Sequence, residues 1–203
     1  MSGYPPYMGR RYAYANDLSM VLTDMLRQSQ FLPFVSYYIR SKSSEKVFDI
    51  QGRHIEPGSL LWQFHLNKTE AQKFSFEDTG EGLFYIRTHR GNNYLTVIDH
   101  SHEVDPNPTG SGGAFEGIGI VQDVKYKAIT GPSPLPDPTA RQKWKVIPTG
   151  EPFTYLITNQ NHLDMALQAI HTNSGSGEPI RLMALNGADD QKWVIDLLKN
   201  FIE

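Results

Sequence analysis

Three short tripeptides decide the fold: Gln72-Lys73-Phe74, Gln142-Lys143-Trp144 and Gln191-Lys192-Trp193. Each of them closes a longer segment, and these segments begin alike. Residues 38–50 align without gaps with residues 85–97, and a third copy follows later in the chain. An internal repeat of this kind sets the architecture, because each copy is one structural unit that buries its apolar face against its neighbours. The sequence therefore predicts three copies of one small unit.

Each copy consists of short runs that have the composition of β-strands. The runs are rich in Tyr, Phe, Ile, Val and Thr and are bounded by Gly, Asn, Pro and Ser, as strands and their turns are. The predicted strands are residues 36–41, 46–50, 59–64, 73–76, 81–88, 94–98, 118–127, 143–147, 153–158, 165–168, 179–184 and 192–195. Two stretches rich in Pro and Gly, 105–113 and 131–138, enlarge the second copy, and surface loops have this composition.

The beginning of the chain differs from the rest. Residues 1–14 have no hydrophobic periodicity and indicate a loose tail. A short amphipathic helix is predicted over residues 16–30, ending before Pro33, from the helical spacing of Leu18, Val21, Leu22 and Met25. We therefore expect a tail with a helix over residues 1–34 and a β domain over residues 35–203. One face of the helix then packs against the β domain or contacts a partner or a second copy.

The composition excludes several classes of site. The chain of 203 residues contains no Cys, which excludes disulfides, thiolate zinc sites and a cysteine nucleophile. Its net charge of -3 gives no electrostatic reason to expect nucleic acid as a partner. We expect no metal and no other cofactor, because His100 and His102 beside Asp105 lack an evident fourth ligand.

The sequence also carries no sign of export or membrane insertion. The start of the chain lacks the basic and then apolar profile of a signal peptide, and no apolar run approaches the ~20 residues of a membrane helix. We therefore expect a cytoplasmic protein without membrane insertion, with non-classical secretion as the alternative.

The three units with a closing Gln-x-aromatic motif resemble the β-trefoil domains of ricin B-type (R-type) lectins, where this ending is called the QxW motif. The resemblance covers about residues 35–198. Residues 180–193 carry it best, because they combine an apolar strand, the turn Asn186-Gly187 and the closing Gln-Lys-Trp. The resemblance implies an all-β fold, a β-trefoil with three pseudo-repeats, preceded here by a short helical extension.

The closing aromatic residues have a structural role that needs no ligand. Three equivalent rings can meet around a pseudo-threefold axis and fill a barrel that would otherwise hold a void. We therefore predict that Phe74, Trp144 and Trp193 belong to the core.

The lectin family holds a sugar between a carboxylate on the second strand and an aromatic ring on the third, and an Asn-Gln pair near the motif completes the pocket. The resemblance implies such a carbohydrate-binding site in the first copy. Its residues are Asp49 as the carboxylate, Trp62 as the stacking ring with Phe64 as the alternative, Asn67 and Gln72. Ala71 stands where the family has the Asn next to the Gln, so one hydrogen-bonding group is missing.

The other two copies match the family pattern less well. Thr96 stands at the carboxylate position of the second copy, and no sugar site is predicted there. In the third copy the ungapped alignment places Ala166 at this position and Met183 at the stacking position. A second candidate site in this copy would be rebuilt around Asp164, together with Asn186, Asp190 and Gln191.

The resemblance implies a lectin that is not an enzyme. It would recognise galactose- or N-acetylgalactosamine-type glycans or glycoproteins, mainly through the first repeat, and homo-oligomerisation would raise its avidity. Two alternatives stay open, because one fold serves several functions. The chain could inhibit a protease through an inserted loop, 131–139 or 107–117. It could also be a structural or toxin-associated interaction module that uses the helix over residues 16–30.

Overall fold

The computed structural model describes residues 31–32, 35–52, 55–98, 117–128, 137–171 and 177–197. The chain divides into two units, Met1–Pro33 and Phe34–Glu203, and every strand described lies in the second. The helix predicted over residues 16–30 lies outside the described residues, so the helical extension and the domain boundary after residue 34 stay predictions. In the described ranges, no helix has the length and hydropathy needed to cross a bilayer.

Twelve β-strands make up the described part of the second unit. In chain order they are β1 (Tyr37–Ser41), β2 (Val47–Ile50), β3 (Leu61–Phe64), β4 (Phe74–Asp78), β5 (Phe84–Thr88), β6 (Tyr94–Val97), β7 (Ile118–Asp123), β8 (Lys143–Pro148), β9 (Thr154–Asn159), β10 (Met165–Ala169), β11 (Glu178–Ala184) and β12 (Trp193–Leu197). Each of them overlaps one of the twelve runs predicted from the sequence. Among the residues that the structure describes are also three short 3-10 helices that were not predicted, each ending at a closing Gln: Glu70–Gln72, Pro138–Gln142 and Asp189–Gln191.

Six of the strands form a closed barrel. β1 pairs with β12 and β4, β4 pairs with β5, and β5 pairs with β8. β8 then pairs with β9, and β9 returns to β12. These are the first and fourth strands of the three copies, so the barrel has a threefold plan. The β1–β12 pairing joins the first copy to the third and closes the ring.

The other six strands form three hairpins, β2–β3, β6–β7 and β10–β11. β11 pairs with both β3 and β7, and a bridge between Leu60 and Val121 joins the first hairpin to the second. The hairpins therefore meet one another in a triangular cap. A six-stranded barrel with three capping hairpins is a β-trefoil, and the all-β fold class is confirmed for the part of the chain that the structure describes.

The closing aromatic residues belong to the core, as predicted. Phe74, Trp144 and Trp193 are all fully buried. Trp144 Nε1 donates to the backbone oxygen of Leu95 at 3.0 Å, and Trp193 Nε1 donates to that of Leu167 at 2.9 Å. Because a buried indole N–H needs a partner, these bonds fix the orientation of both rings.

Candidate functional site

The closing glutamine of the first copy ties a turn to the second strand. Gln72 is fully buried. Its Oε1 accepts from the backbone N–H groups of Asn67 and Lys68, at 2.7 and 3.1 Å. Its Nε2 donates to the backbone oxygen of His65 and to Asp49 Oδ2, both at 2.9 Å. All the hydrogen-bonding capacity of the amide is used, so Gln72 holds the Asp49 carboxylate in one position.

The same contact identifies the equivalent positions in the other copies. Gln142 Nε2 donates to Thr96 Oγ1 at 2.9 Å, in agreement with the ungapped alignment. In the third copy Gln191 Nε2 donates to Gln168 Oε1 at 2.9 Å. The alignment that placed Ala166 at this position is therefore wrong by two residues.

The shift of two residues in the third copy has two sources. The ungapped alignment is one residue out of register throughout β9, because Ile157 takes the buried position of Ile86. Gln160 rather than Asn159 likewise makes the backbone hydrogen bond that His89 makes in the second copy. A second residue is gained in the turn that follows, before β10 begins. An alignment without gaps cannot show either of these shifts.

The structure brings some residues of the second candidate site together. The backbone N–H of Asn186 donates to Gln191 Oε1 at 2.9 Å, and Asn186 Oδ1 accepts from a backbone N–H within its own turn. Asp164 is exposed, and its backbone oxygen accepts from Leu185. Asp190 Oδ1 is buried without a hydrogen-bond partner among the described residues. Sugar binding by this group stays a prediction.

The third copy lacks the carboxylate and the aromatic ring that define the first-copy site. Asp49 lies opposite Trp62 in the β2–β3 ladder, whereas Gln168 lies opposite Arg181 in the β10–β11 ladder. The carboxylate is replaced by an amide and the aromatic ring by a guanidinium group. Met183, which the sequence placed at the stacking position, lies opposite Ala166 and corresponds to Phe64 by this register.

An open pocket of about 230 Å³ lies beside Asp49. The residues that line it are Asp49, Gln51, Gly52, Trp62, Phe64, Asn67 and Gly177. Four of the five residues predicted for the first-copy site therefore surround one cavity, and Gln72 holds Asp49 from behind. Directly opposed residues on neighbouring strands share a face, and so do residues two apart on one strand, which explains why two rings and a carboxylate meet here.

Asn67 and Asp49 each have a polar side-chain atom without a hydrogen bond to the described residues. Asn67 Oδ1 accepts from the backbone N–H and the hydroxyl of Thr69, at 3.1 and 2.8 Å, so the side chain is fixed. Neither Asn67 Nδ2 nor Asp49 Oδ1 has a hydrogen bond to any described residue. Of the two rings, Phe64 is 36% exposed and Trp62 is half-buried. The pocket thus offers an acceptor, a donor and apolar ring surface.

The carboxylate of Asp49 is partly withdrawn from water. Burial raises the pKa of this carboxyl above its ordinary value of 3.8, while the hydrogen bond from Gln72 and the charge of Arg90 act in the opposite direction. Arg90 belongs to the turn between β5 and β6, in the second copy. A poorly hydrated carboxylate accepts a hydroxyl proton readily, because ionised acceptors form the stronger hydrogen bonds.

Sequence reasoning missed three residues of the pocket, Gln51, Gly52 and Gly177. Gly177 comes from the third copy, where the run Ser174-Gly175-Ser176-Gly177 has the composition of an ordinary hairpin loop. Nothing in that composition indicates contact with a strand of the first copy. Only the three-dimensional structure reveals this contact, because it depends on the β11–β3 pairing.

Other candidate elements lie largely or wholly outside the described residues. Of the two loops considered for protease inhibition, the structure describes Gly117 and residues 137–139. His100, His102 and Asp105 are not described. Across the residues that are described, no group of three or more His, Asp or Glu side chains could hold a metal ion.

Several solved structures are similar to this one. The designed threefold-symmetric protein ThreeFoil is 17% identical, with a TM-score of 0.60 over 80% of this chain and 99% of that one. The Macrolepiota procera ricin B-like lectin, solved with lactose, is 16% identical, with a TM-score of 0.57 over 83% and 99%. The C-terminal half of the earthworm R-type lectin, solved with N-acetylgalactosamine, is 21% identical, with a TM-score of 0.50 over 80% and 98%.

Comparisons with protein-family models and with the sequences of curated proteins give no match. The evidence from known proteins is therefore structural. At these low identities it concerns the arrangement of the backbone, which agrees with the barrel and cap described above. The chain has the β-trefoil fold of the ricin B-type lectins.

Proposed function

We propose that this chain is a carbohydrate-binding protein that recognises galactose- or N-acetylgalactosamine-type glycans, mainly through the first-copy pocket. The observation that carries the proposal is the position of Asp49. Gln72 holds one of its carboxylate oxygens, and the other makes no hydrogen bond to the residues that the structure describes, in the pocket that Trp62 and Phe64 line.

The chemistry of the pocket suits a sugar ring. Neighbouring hydroxyls of a sugar can donate to Asp49 Oδ1 and accept from Asn67 Nδ2 at the same time. The apolar side of the ring can pack on an aromatic face. A volume of about 230 Å³ is smaller than the ~300–1,000 Å³ of pockets for drug-sized ligands, and it suits one terminal sugar residue. Lactose and N-acetylgalactosamine, the sugars bound by two similar proteins, are the first ligands to test.

The same pocket supports a role without catalysis. Glycoside hydrolysis ordinarily uses two carboxyl groups on either side of the scissile bond. Among the described residues that line the pocket, Asp49 supplies the single carboxyl group. Its partners are then glycans or glycoproteins. Homo-oligomerisation and a cytoplasmic location belong to the same proposal.

The test is calorimetric titration of the full chain with lactose and with N-acetylgalactosamine. We expect Asp49→Ala and Trp62→Ala each to weaken binding by at least about tenfold, because each removes a major contact with the ring. Asp78→Ala is the matched control, since this exposed carboxylate lies on β4 and does not line the pocket. Folded variants of Asp49 and Trp62 that bind like wild type would refute the assignment.

Asp164→Ala tests the second candidate site in the same titration. If this variant loses affinity while Asp49→Ala does not, sugar recognition belongs to the third copy. If neither sugar binds to the wild-type chain at millimolar concentration, the choice of galactose-type ligands is wrong.

A further inference from the structure

Gly177 reaches the first-copy pocket from the third copy. It directly precedes β11, and β11 pairs with β3 through Glu178 opposite Gln63 and Pro179 opposite Trp62. Continuing this register by one residue places Gly177 opposite Phe64. The pocket is therefore assembled from two copies of the repeat.

The backbone of Gly177 packs directly against both rings of the pocket. A Cβ atom at this position would lie 2.4 Å from Trp62 Cε3, 3.1 Å from Trp62 Cζ3 and 3.4 Å from Phe64 Cδ2. Carbon atoms in contact are ordinarily ~3.5–4.0 Å apart. An indole ring is rigid, so any side chain at residue 177 would force Trp62 to move.

Glycines also stand at the equivalent positions of the other two copies, but a Cβ at Gly58 would meet nothing within 4 Å, so the contact with two aromatic rings is specific to Gly177. Gly58 contacts the second copy through a hydrogen bond from its N–H to the backbone oxygen of Gln122, and Gly117 lies against Met183 of the third copy. Gly58 and Gly117 both have a φ of 92°, a left-handed conformation that favours glycine. Gly177 is not among the residues with positive φ. The reason for glycine at residue 177 is therefore the space taken by the rings.

We propose that Gly177 is a positioning residue of the first-copy pocket. Its missing side chain keeps Trp62 and Phe64 in place and leaves the cavity open to one sugar ring. This inference rests on the proposed function. It adds that recognition depends on a residue of the third copy as well as on the residues of the first.

The experiment compares Gly177→Ala and Gly177→Val with Gly119→Ala as the matched control. A Cβ at Gly119 would also be crowded, at 2.7 Å from the end of the Ile98 side chain, but Gly119 does not line the pocket. We expect Gly177→Ala to weaken lactose and N-acetylgalactosamine binding by at least about tenfold and Gly177→Val to weaken it more, because overpacking displaces the ring. Gly119→Ala should bind within about twofold of wild type.

Tryptophan fluorescence gives a second readout that needs no sugar. The chain has three tryptophans, and Trp144 and Trp193 are fully buried, so quenching by acrylamide reports on Trp62. We expect Gly177→Ala to change the quenching constant and Gly119→Ala to leave it unchanged. If Gly177→Ala does not fold, the double variant with Trp62→Ala should fold again, because the clash is removed.

The outcomes separate this inference from the proposed function. A sugar-binding wild type whose Gly177→Ala variant keeps both affinity and quenching overturns the inference alone. A double variant that fails to recover also overturns it. A wild type that binds neither sugar overturns the proposed function and, with it, the role of Gly177.

Discussion

The negative charge of Asp49 has opposite effects on the stability of the fold and on the binding of a ligand. Burial raises the pKa of its carboxyl above 3.8, which means that ionisation is less favourable in the folded chain than in the unfolded one. The stability contributed by the protonated form is fully present below the unfolded pKa. It is lost as the pH rises through the raised folded pKa. At neutral pH the charged carboxylate therefore lowers the stability of the fold.

Asp49→Asn should separate the effect of the charge on stability from its effect on sugar binding. The Asn carbonyl can still accept from Gln72 Nε2, while the charge is gone. We expect a higher Tm than wild type at pH 7, a difference that shrinks as the pH is lowered toward about 3, and weaker sugar binding. Calorimetric scans between about pH 3 and pH 8 measure the first effect, with the exposed Asp78→Asn as control. A lower Tm for Asp49→Asn at pH 7 would contradict the sign of the shift.

Residues on one hairpin were the easiest part of the site to predict. Asp49 and Trp62 lie on adjacent strands, so a short stretch of sequence brings them together once the strands are known. The contact of Gly177 could not be predicted from the sequence, because it depends on how two copies of the repeat pack against each other. Gln168 was missed for a different reason, since the ungapped alignment is one residue out of register in β9 and a further residue is gained in the turn after that strand.

The closing glutamines do similar structural work in each copy, but only one of them touches the candidate carboxylate. Gln142 Oε1 accepts from the backbone N–H of Tyr126 at 2.8 Å, and its Nε2 donates to the backbone oxygen of Val124 at 2.7 Å. Gln72 makes the corresponding bonds to the turn of the first copy. Both amides are fully buried, so truncation leaves several backbone groups unsatisfied.

Gln72→Ala and Gln142→Ala form a matched pair. Each should lower the free energy of unfolding by about 3 kcal/mol, because buried groups that lose their partners cost ~1–3 kcal/mol each. Gln72→Ala should also weaken sugar binding, whereas Gln142→Ala should not. Urea unfolding and calorimetric titration measure the two effects. Equal loss of affinity in both variants would mean that the glutamine acts through the fold as a whole.

The strands were predictable and the short 3-10 helices were not. The observed strands of four to seven residues overlap runs that stand out by their composition, whereas 3-10 helices of three to five residues are too short to show a helical period. The residue of the third copy that is equivalent to Asp49 could have been found from the sequence spacing. Gln72 and Asp49 are separated by 23 positions, and so are Gln191 and Gln168. Counting back from the closing tripeptide therefore finds the right residue, whereas counting forward from the first strand does not.

The threefold plan of the molecule does not extend to its polar groups. The position of Asp49 is occupied by Thr96 in the second copy and by Gln168 in the third. The position of Trp62 is occupied by Val121 and Arg181. The barrel requires equivalent apolar residues in all three copies, but it places no such demand on the outer surface of each hairpin.

We therefore expect one galactose-type sugar to bind per chain. Calorimetric titration with lactose should give a stoichiometry of one, and Asp49→Ala should remove all measurable binding. A stoichiometry of two or three would show that another copy has rebuilt its site. Cross-linking of glycans by a chain with one site requires self-association, which light scattering of the full chain can measure.

The pocket also lies on the line where the chain closes on itself. β1 and β12 pair to complete the barrel, and Trp62 and Gly177 meet across the same boundary between the first and last copies. A sugar held there would contact the first and the third copies together, so separating these copies would require its release. Such a ligand slows unfolding as well as shifting its equilibrium. An opened chain would lose the Gly177 side of the pocket and keep the lining residues of the first copy, so we expect it to bind the sugar more weakly than the closed ring does.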